Sequence, residues 1–194
     1  MPDKNQMMID DCPNDAVILD IGANHGKYTT RMAKFPGRKV YAFEPSPQNI
    51  EKLKNVVGSC NNVEICEVAL SNKNGIAKLM IVNNPGGHSI HKPLDGKKWK
   101  HKLENSIDVK TITSDDWVKE NNINRIDGIK IDVEAHEVEV VEGGMETLKK
   151  FKPIIALETH GTVDVDKLKR LLIECDYGVH ENLKINSSYL IGSK

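Results

Sequence analysis

Four short stretches carry side chains that could do chemistry, and each follows an apolar run. The first is Asp20-Ile-Gly-Ala-Asn-His-Gly-Lys-Tyr-Thr29. Gly22 and Gly26 let the backbone pass close to a ligand with no Cβ in the way. The spacing is not the GxGxxG of dinucleotide enzymes, and a carboxylate at Asp20 would repel a pyrophosphate. An acid there suits a positively charged ligand instead. S-adenosylmethionine is positive twice, at its α-amino group and its sulfonium. An ordinary turn with Asp20 as a local cap is the plainer alternative. The second stretch, Phe43-Glu44-Pro45-Ser46, sets an acid directly after a strand. Such an acid can accept both hydroxyls of an adenosine ribose, a feature that fits NAD equally well.

The third stretch, Lys130-Ile-Asp-Val-Glu-Ala-His-Glu137, sets Asp132, Glu134, His136 and Glu137 close together. The fourth, Leu157-Glu-Thr-His160, adds Glu158 and His160. In a parallel sheet these two strand ends are neighbours. A cluster of carboxylates and imidazoles could take a proton from a hydroxyl or bind a divalent metal. His and Glu two or three apart across a turn is not a specific ligand spacing, so no metal site is expected. Glu134, His136, Glu158 and His160 are the candidate catalytic residues. Glu134, His136 or His160 could act as the base, and the spacing does not rank them. Solvated loop charges are the plainer reading for some of them.

The elements that position these residues alternate between short apolar strands and amphipathic helices. Residues 16–21 read as a buried parallel strand, followed by a helix at about 27–34. Residues 40–43 are the next strand. Ser46 is a good N-cap with Pro47 at the first helical position, and Ile50, Leu53 and Val57 share one helical face. Residues 63–70 read as one strand, and Asn74-Gly75 turns the chain into 76–82. Regular structure resumes with strand 107–112 and a helix capped by Thr113 or Ser114. Residues 126–133 and 153–157 read as strands, with Val138, Val141, Met145 and Leu148 striping the helix between them. Asp164 caps a helix carrying Val165, Leu168 and Leu172, and 177–180 with 188–191 read as a closing strand pair. Alternation of this kind predicts an α/β fold with a parallel or mostly parallel sheet and helices on both faces. Ligands then bind at the carboxyl ends of the strands.

The bulk properties suit one ordinary domain. The chain has 194 residues, 39% hydrophobic and 28% charged, with net charge −1. The whole molecule is therefore not an electrostatic glove for nucleic acid. With no run of about 18 apolar residues, no membrane span is expected. Residues 1–15 are polar and acidic without a signal-peptide core and read as a short frayed lead-in to a single domain over 16–194. The four cysteines show no CxxC spacing, so a reduced, cytoplasmic setting is the default.

Taken together, the stretches resemble the FkbM-type methyltransferase family. The resemblance rests on residues 19–29, Val40-Tyr-Ala-Phe-Glu-Pro-Ser-Pro47, Val68-Ala-Leu-Ser71 and Ile129-Lys-Ile-Asp-Val-Glu-Ala-His-Glu137 followed by Glu142-Gly143. It implies a class I, Rossmann-like methyltransferase with a mostly parallel seven-stranded sheet, S-adenosylmethionine as cofactor, and O-methylation of a hydroxyl, often on a sugar or other small molecule. By position it assigns Asp20, Gly22, Asn24, Tyr28 and Thr29 to the methionine part, with Ala23 and Gly26 in the same turn. Glu44 would take the ribose, Pro45 and Ser46 would lie beside the adenine, Ala69 and Leu70 would flank it, and Asp132 would close the methionine side. Two departures stand out. Ala135 occupies a place where members of the family usually carry glycine. The lead-in is also too short to form an N-terminal substrate cover.

Any cover must then come from residues 83–106, an irregular insertion rich in Asn, Gly, His, Pro and Lys. Long irregular loops are usually functional or disordered. His88 and Ser89 are candidate acceptor-binding residues. Lys97-Lys-Trp-Lys-His-Lys102 is either a solvated charged loop or an attraction for a phosphate, sugar acid or RNA, with Trp99 stacking. Three readings follow: a small-molecule O-methyltransferase, a nucleic-acid methyltransferase using the basic run, and an adenosine-ligand binding domain that transfers nothing. Near-neutral charge weighs against the second. Acids at both later strand ends weigh against the third.

Overall fold

The computed structural model describes residues 3–83, 88–90, 103–179 and 187–192. Its first element corrects an expectation. Residues read as a frayed lead-in contain helix α1 (Lys4–Asp11). Asp3 caps it by accepting from the Gln6 amide at 3.1 Å. Arg38 closes the other end, where helix carbonyls lack partners within the helix. Its Nη2 donates to the carbonyls of Ile9 (2.8 Å) and Cys12 (2.6 Å), and its Nε to Pro13 (2.9 Å). Met8, Ile9 and Cys12 are buried with Ala16, Ile18, Met32, Val40 and Ala156. Gly128 admits the helix, since a Cβ there would lie 2.7 Å from Cys12 Sγ and 2.9 Å from Met8 Sδ. The stripe is only three apolar residues wide among polar ones, which hid it in the sequence.

The remaining elements follow the expected alternation. Strand β1 (Val17–Ile21) leads through α2 (Lys27–Ala33) to β2 (Lys39–Phe43), and α3 (Pro47–Val57) leads to β3 (Val63–Cys66). Next come β4 (Ala69–Leu70), β5 (Gly75–Val82), β6 (Leu103–Ile112), α4 (Ser114–Glu120) and β7 (Gly128–Ile131). Then follow α5 (Glu137–Glu142), α6 (Met145–Phe151), β8 (Ile154–Thr159), α7 (Val165–Glu174) and β9 (Ser187–Ile191). The predicted caps of α4 and α7 form: Thr113 Oγ1 accepts from Asp116 N and Asp164 Oδ1 from Lys167 N. The stripe from Val138 to Leu148 belongs to two helices, broken at Gly143-Gly144.

The sheet differs from the expected seven strands. Among the described residues it has six, in the order β3-β2-β1-β7-β8-β9, all parallel except β9. The predicted strand 63–70 splits, and its end leaves as β4. It joins β5 and β6 in a separate three-stranded sheet, order β4-β6-β5. β6 begins at Leu103, so the irregular insertion is shorter than expected. The basic run 97–102 lies outside the described residues. Of the closing strand pair, β9 forms, while Tyr177 is only an isolated bridge position and residue 180 lies outside the described residues.

Strands buried on both faces explain the continuous apolar runs. Leu19, Ile21, Ile129, Ile131 and Ile155 pack on one face against residues of α4 to α7. Ile18, Val40 and Ala156 pack on the other against α1 and α2, and Ala42 packs against Leu53 and Val57 of α3. From β1 the chain runs outward to β2 and β3, then returns to place β7 on β1's other side. That reversal opens a crevice at the carboxyl ends of β1 and β7, where ligands bind in such sheets. No helix among the described residues is long and apolar enough to cross a membrane.

If α1 belongs to the core, Met8→Ala should cost about 2–5 kcal/mol in urea unfolding, as other emptied core sites do. A frayed lead-in predicts a change within about 0.5 kcal/mol.

Candidate active site

The turn after β1 is built against β7. Gly22 has φ +77°, and a Cβ on it would lie 1.9 Å from the Asp132 carbonyl oxygen, so only glycine fits. Asp20 lies beside Lys130 in the β1–β7 register, and both side chains are buried. Lys130 Nζ is 3.2 Å from Asp20 Oδ1 and 3.6 Å from Asp132 Oδ2, and it donates to the Gly22 carbonyl at 2.8 Å. Burial opposes the lysine's charge. Asp20 and Asp132 outweigh it and hold the ammonium above its ordinary pKa. Thr29 Oγ1 donates to Asp20 Oδ2 at 2.6 Å.

An open-mouthed cleft runs along these strand ends, where ligands bind in such sheets. One side is organised by Glu44. Its Oε2 accepts from the Asn24 amide (2.9 Å), and its Oε1 from the Ser46 amide (2.9 Å) and Asn49 Nδ2 (3.3 Å). Burial raises its pKa against those donors. A carboxylate has about four acceptor positions, so Glu44 keeps capacity for a ligand hydroxyl. Val68, Ala69 and Leu70 supply an apolar wall. Asn24 Oδ1 is buried without a partner among the described residues, and Asn24 lines the cleft.

The other side is acidic. His160 Nδ1 is 3.1 Å from Glu137 Oε1, and its Nε2 is 3.4 Å from Glu158, 3.7 Å from Asp132 and 4.0 Å from Glu134. Burial disfavours the imidazolium, but Glu137 and Glu158, then Glu134 and Asp132, push its pKa up to about 11. The acids around His160 thus favour its protonated form. Its bond lowers the pKa of Glu158. Burial pushes Glu134 up to about 7; His160 pulls it down while Asp132, Glu137 and Glu158 add to the rise. Asp132, Glu158 and His160 bring ligand-type atoms within 4.8 Å of one another, a compactness their sequence spacing does not disclose.

Backbone strain collects at the same place. Glu134 (φ +51°) and Ala135 (φ +74°) are both left-handed, which costs a non-glycine residue on the order of 1–2 kcal/mol. The Ala135 amide donates to Glu137 Oε1 at 3.2 Å, and Ser89 Oγ donates to the Glu134 carbonyl. Consecutive left-handed residues held by specific bonds are characteristic of functional sites. The position of Ala135 is thus one where glycine would be unstrained.

The fold brings many of the candidates to the cleft. Gly22, Asn24, Glu44, Pro45, Ala69, Leu70, Asp132, Glu134, His136 and His88 line it. Others act from behind. Asp20 spends its charge on Lys130, and Thr29 bonds to Asp20. Tyr28 donates to Asp3 at 3.2 Å with its ring 5.8 Å from Lys130 Nζ. Ala23 packs on α3's side of the sheet, Gly26 precedes α2, and Ser46 orients Glu44 through its amide. Glu158 and His160 reach the cleft through Asp132 and Glu134. Ser89 is buried and spent on Glu134. His136 Nε2 lies 3.0 Å from Ser71 Oγ. Sequence reasoning missed Lys130, Asn49 and Ser71. A lysine inside an apolar strand was a signal for Lys130, and Asn49, in the first turn of α3, could have been matched to Glu44.

The sequence matches the Methyltransferase FkbM domain over residues 20–179. The chain belongs to the FkbM methyltransferase family. It is 33% identical over 149 residues to the 2-O-methyltransferase NoeI of Sinorhizobium fredii, covering 71% of this chain and 61% of that protein. It is 26% identical over 193 residues to the hexuronic acid methyltransferase AglP of Haloferax volcanii, covering 97% and 75%. The crystal structure of methyltransferase FkbM from Methylobacillus flagellatus superposes with TM-score 0.61 at 18% identity, over 92% of this chain and 44% of that one. The chain thus spans less than two thirds of NoeI's length. The fold of this FkbM-family chain is the Rossmann-like one, and the cleft lies at that fold's ligand end.

The charge state of His160 is directly measurable. In ¹⁵N NMR its ring should keep the imidazolium pattern at about pH 9. A titration midpoint near 6.5 would contradict the acid cage.

Proposed function

We propose that this chain transfers a methyl group from S-adenosylmethionine to a hydroxyl oxygen of a sugar-like small molecule. The observation that carries the reading is the pairing of two chemistries in one cleft. The Glu44 side, with its amide-bound carboxylate and apolar wall, suits a ribose and a flat base. The orphaned Asn24 oxygen and the Asp132 carboxylate suit a cationic amino group. These donors and acceptors fit the methyl donor, which when bound supplies a methyl group on a positive sulfur. A relative named as a 2-O-methyltransferase and another named for hexuronic acid support an oxygen acceptor on a sugar-like molecule.

The protein's task is alignment first, since orientation can supply roughly 7–11 kcal/mol while a base typically adds about 10²–10⁴-fold. For the base we favour Glu134. It lines the cleft, is partly exposed, and has a pKa raised to about 7, near a working pH. His160 is already protonated and cannot accept the hydroxyl proton. It orders the acids instead. A base acts when deprotonated, so the rate should rise with pH through about 7 and level off above it.

Two measurements test this. S-adenosylhomocysteine at about 100 times its Kd should stabilise the protein by roughly 2.7 kcal/mol, a shift on the order of 5–10 °C. A shift with NAD alone would sink the cofactor reading. Against a neutral sugar acceptor, Glu134→Gln should lower kcat about 10²–10⁴-fold and flatten the pH profile. An unchanged profile would remove Glu134 from the base role.

A further inference from the structure

Residues 88–90 pass back beside β5 and face the cleft. Met80 N donates to the Ser89 carbonyl at 2.7 Å and Ser89 N to the Met80 carbonyl at 3.3 Å. In extended chain, neighbours alternate sides. Ser89 accordingly turns to the Glu134 carbonyl, while His88 and Ile90 line the cleft.

The His88 ring has a fixed polarity. The Val82 amide donates to its Nδ1 at 3.3 Å. An amide can only donate, so Nδ1 is the unprotonated nitrogen and Nε2 carries the proton of the neutral ring. That Nε2 is buried and has no partner among the described residues. A buried donor without an acceptor is costly, and a ligand in the cleft can supply one. Burial also lowers the ring's pKa, with His25 and Lys52 adding to the effect and Glu104 opposing it, so the neutral form persists at working pH.

His88 belongs to the Glu44 side. His25, which it senses, has Nε2 3.1 Å from Asn49 Oδ1, and Asn49 in turn reaches Glu44. Lys52 follows Asn49 on α3. The acid cage around His160 is at the ends of β7 and β8, across the cleft. A neutral N–H donor beside an apolar wall suits the in-plane lone pair of a purine ring nitrogen.

We propose that His88 binds the purine of the cofactor through Nε2–H, and is not an acceptor-binding residue. The assignment rests on the S-adenosylmethionine reading. It makes His88, which lies between β5 and β6, part of the cofactor site.

Isothermal titration with S-adenosylhomocysteine and with 5′-methylthioadenosine tests it on three proteins. His88→Asn keeps an acceptor for the Val82 amide but falls short of the Nε2 position. His88→Gln reaches that position with an amide donor. His88→Asn should weaken both ligands roughly 3- to 10-fold, the worth of one hydrogen bond. His88→Gln should stay within about 2-fold of the natural protein, and the acceptor KM at saturating cofactor should not move in either. Natural-level binding by His88→Asn, or a loss seen only in acceptor KM, overturns the assignment. A natural protein that binds neither ligand overturns the cofactor reading itself, and this one with it. Should His88→Asn not fold, ¹⁵N NMR of the natural protein decides. S-adenosylhomocysteine should move the His88 Nε2–H signal without changing the tautomer, and an unmoved signal overturns the proposal.

Discussion

The site depends on one buried cation. Lys130 projects from the middle of a parallel sheet and is fully buried, where a lone ammonium would be expensive. It is tolerated because the register sets Asp20 beside it, Asp132 follows two residues later, and the Gly22 carbonyl turns toward it. Each partner belongs to a different part of the cleft's floor: the end of β1, the end of β7 and the glycine turn between β1 and α2. The lysine holds the switch point of the sheet together. It also answers why Asp20 is an acid. Asp20 balances the lysine beneath the turn, and Asp132, Glu134 and Glu44 are the carboxylates at the cleft itself.

A second cation divides the labour further. His160 lies among four carboxylates and keeps its proton, so acids that would repel one another stay close. Burial and the remaining repulsion raise Glu134, leaving one carboxylate poised near neutrality. The left-handed pair Glu134-Ala135 delivers that carboxylate to the cleft, clamped from outside by Ser89. Among the described residues, the Glu44 side uses no cation contact of comparable closeness. It works through amides, an apolar wall and His88. One half of the cleft thus presents an apolar wall and an amide-bound carboxylate, and the other a cluster of acids.

Much of this was legible in the sequence, for local reasons. Asp20-Ile-Gly and Phe-Glu44-Pro mark strand ends because apolar runs stop there, and strand ends are where this architecture binds ligands. What stayed hidden depends on register and on pairing over long distances. No local pattern says that Lys130 lies beside Asp20, or that the nearest acid to His160 is Glu137 of α5. Counting strands failed at 63–70 because Ala69 and Leu70 are apolar in either sheet, and only their partners in β6 decide. Helix α1 was missed because Arg38, far along the chain, supplies its C-terminal partners. His88 was noticed as a site residue, but sequence cannot tell which wall of a cleft a side chain reaches.

The account stands on the Lys130–Asp20 pair, and a double-mutant cycle in urea unfolding tests it most directly. Lys130→Met alone should cost about 3–5 kcal/mol, because it strands a buried carboxylate. Adding Asp20→Asn should recover a substantial part, giving a coupling above about 1 kcal/mol. Effects that add to within about 0.5 kcal/mol would contradict the account.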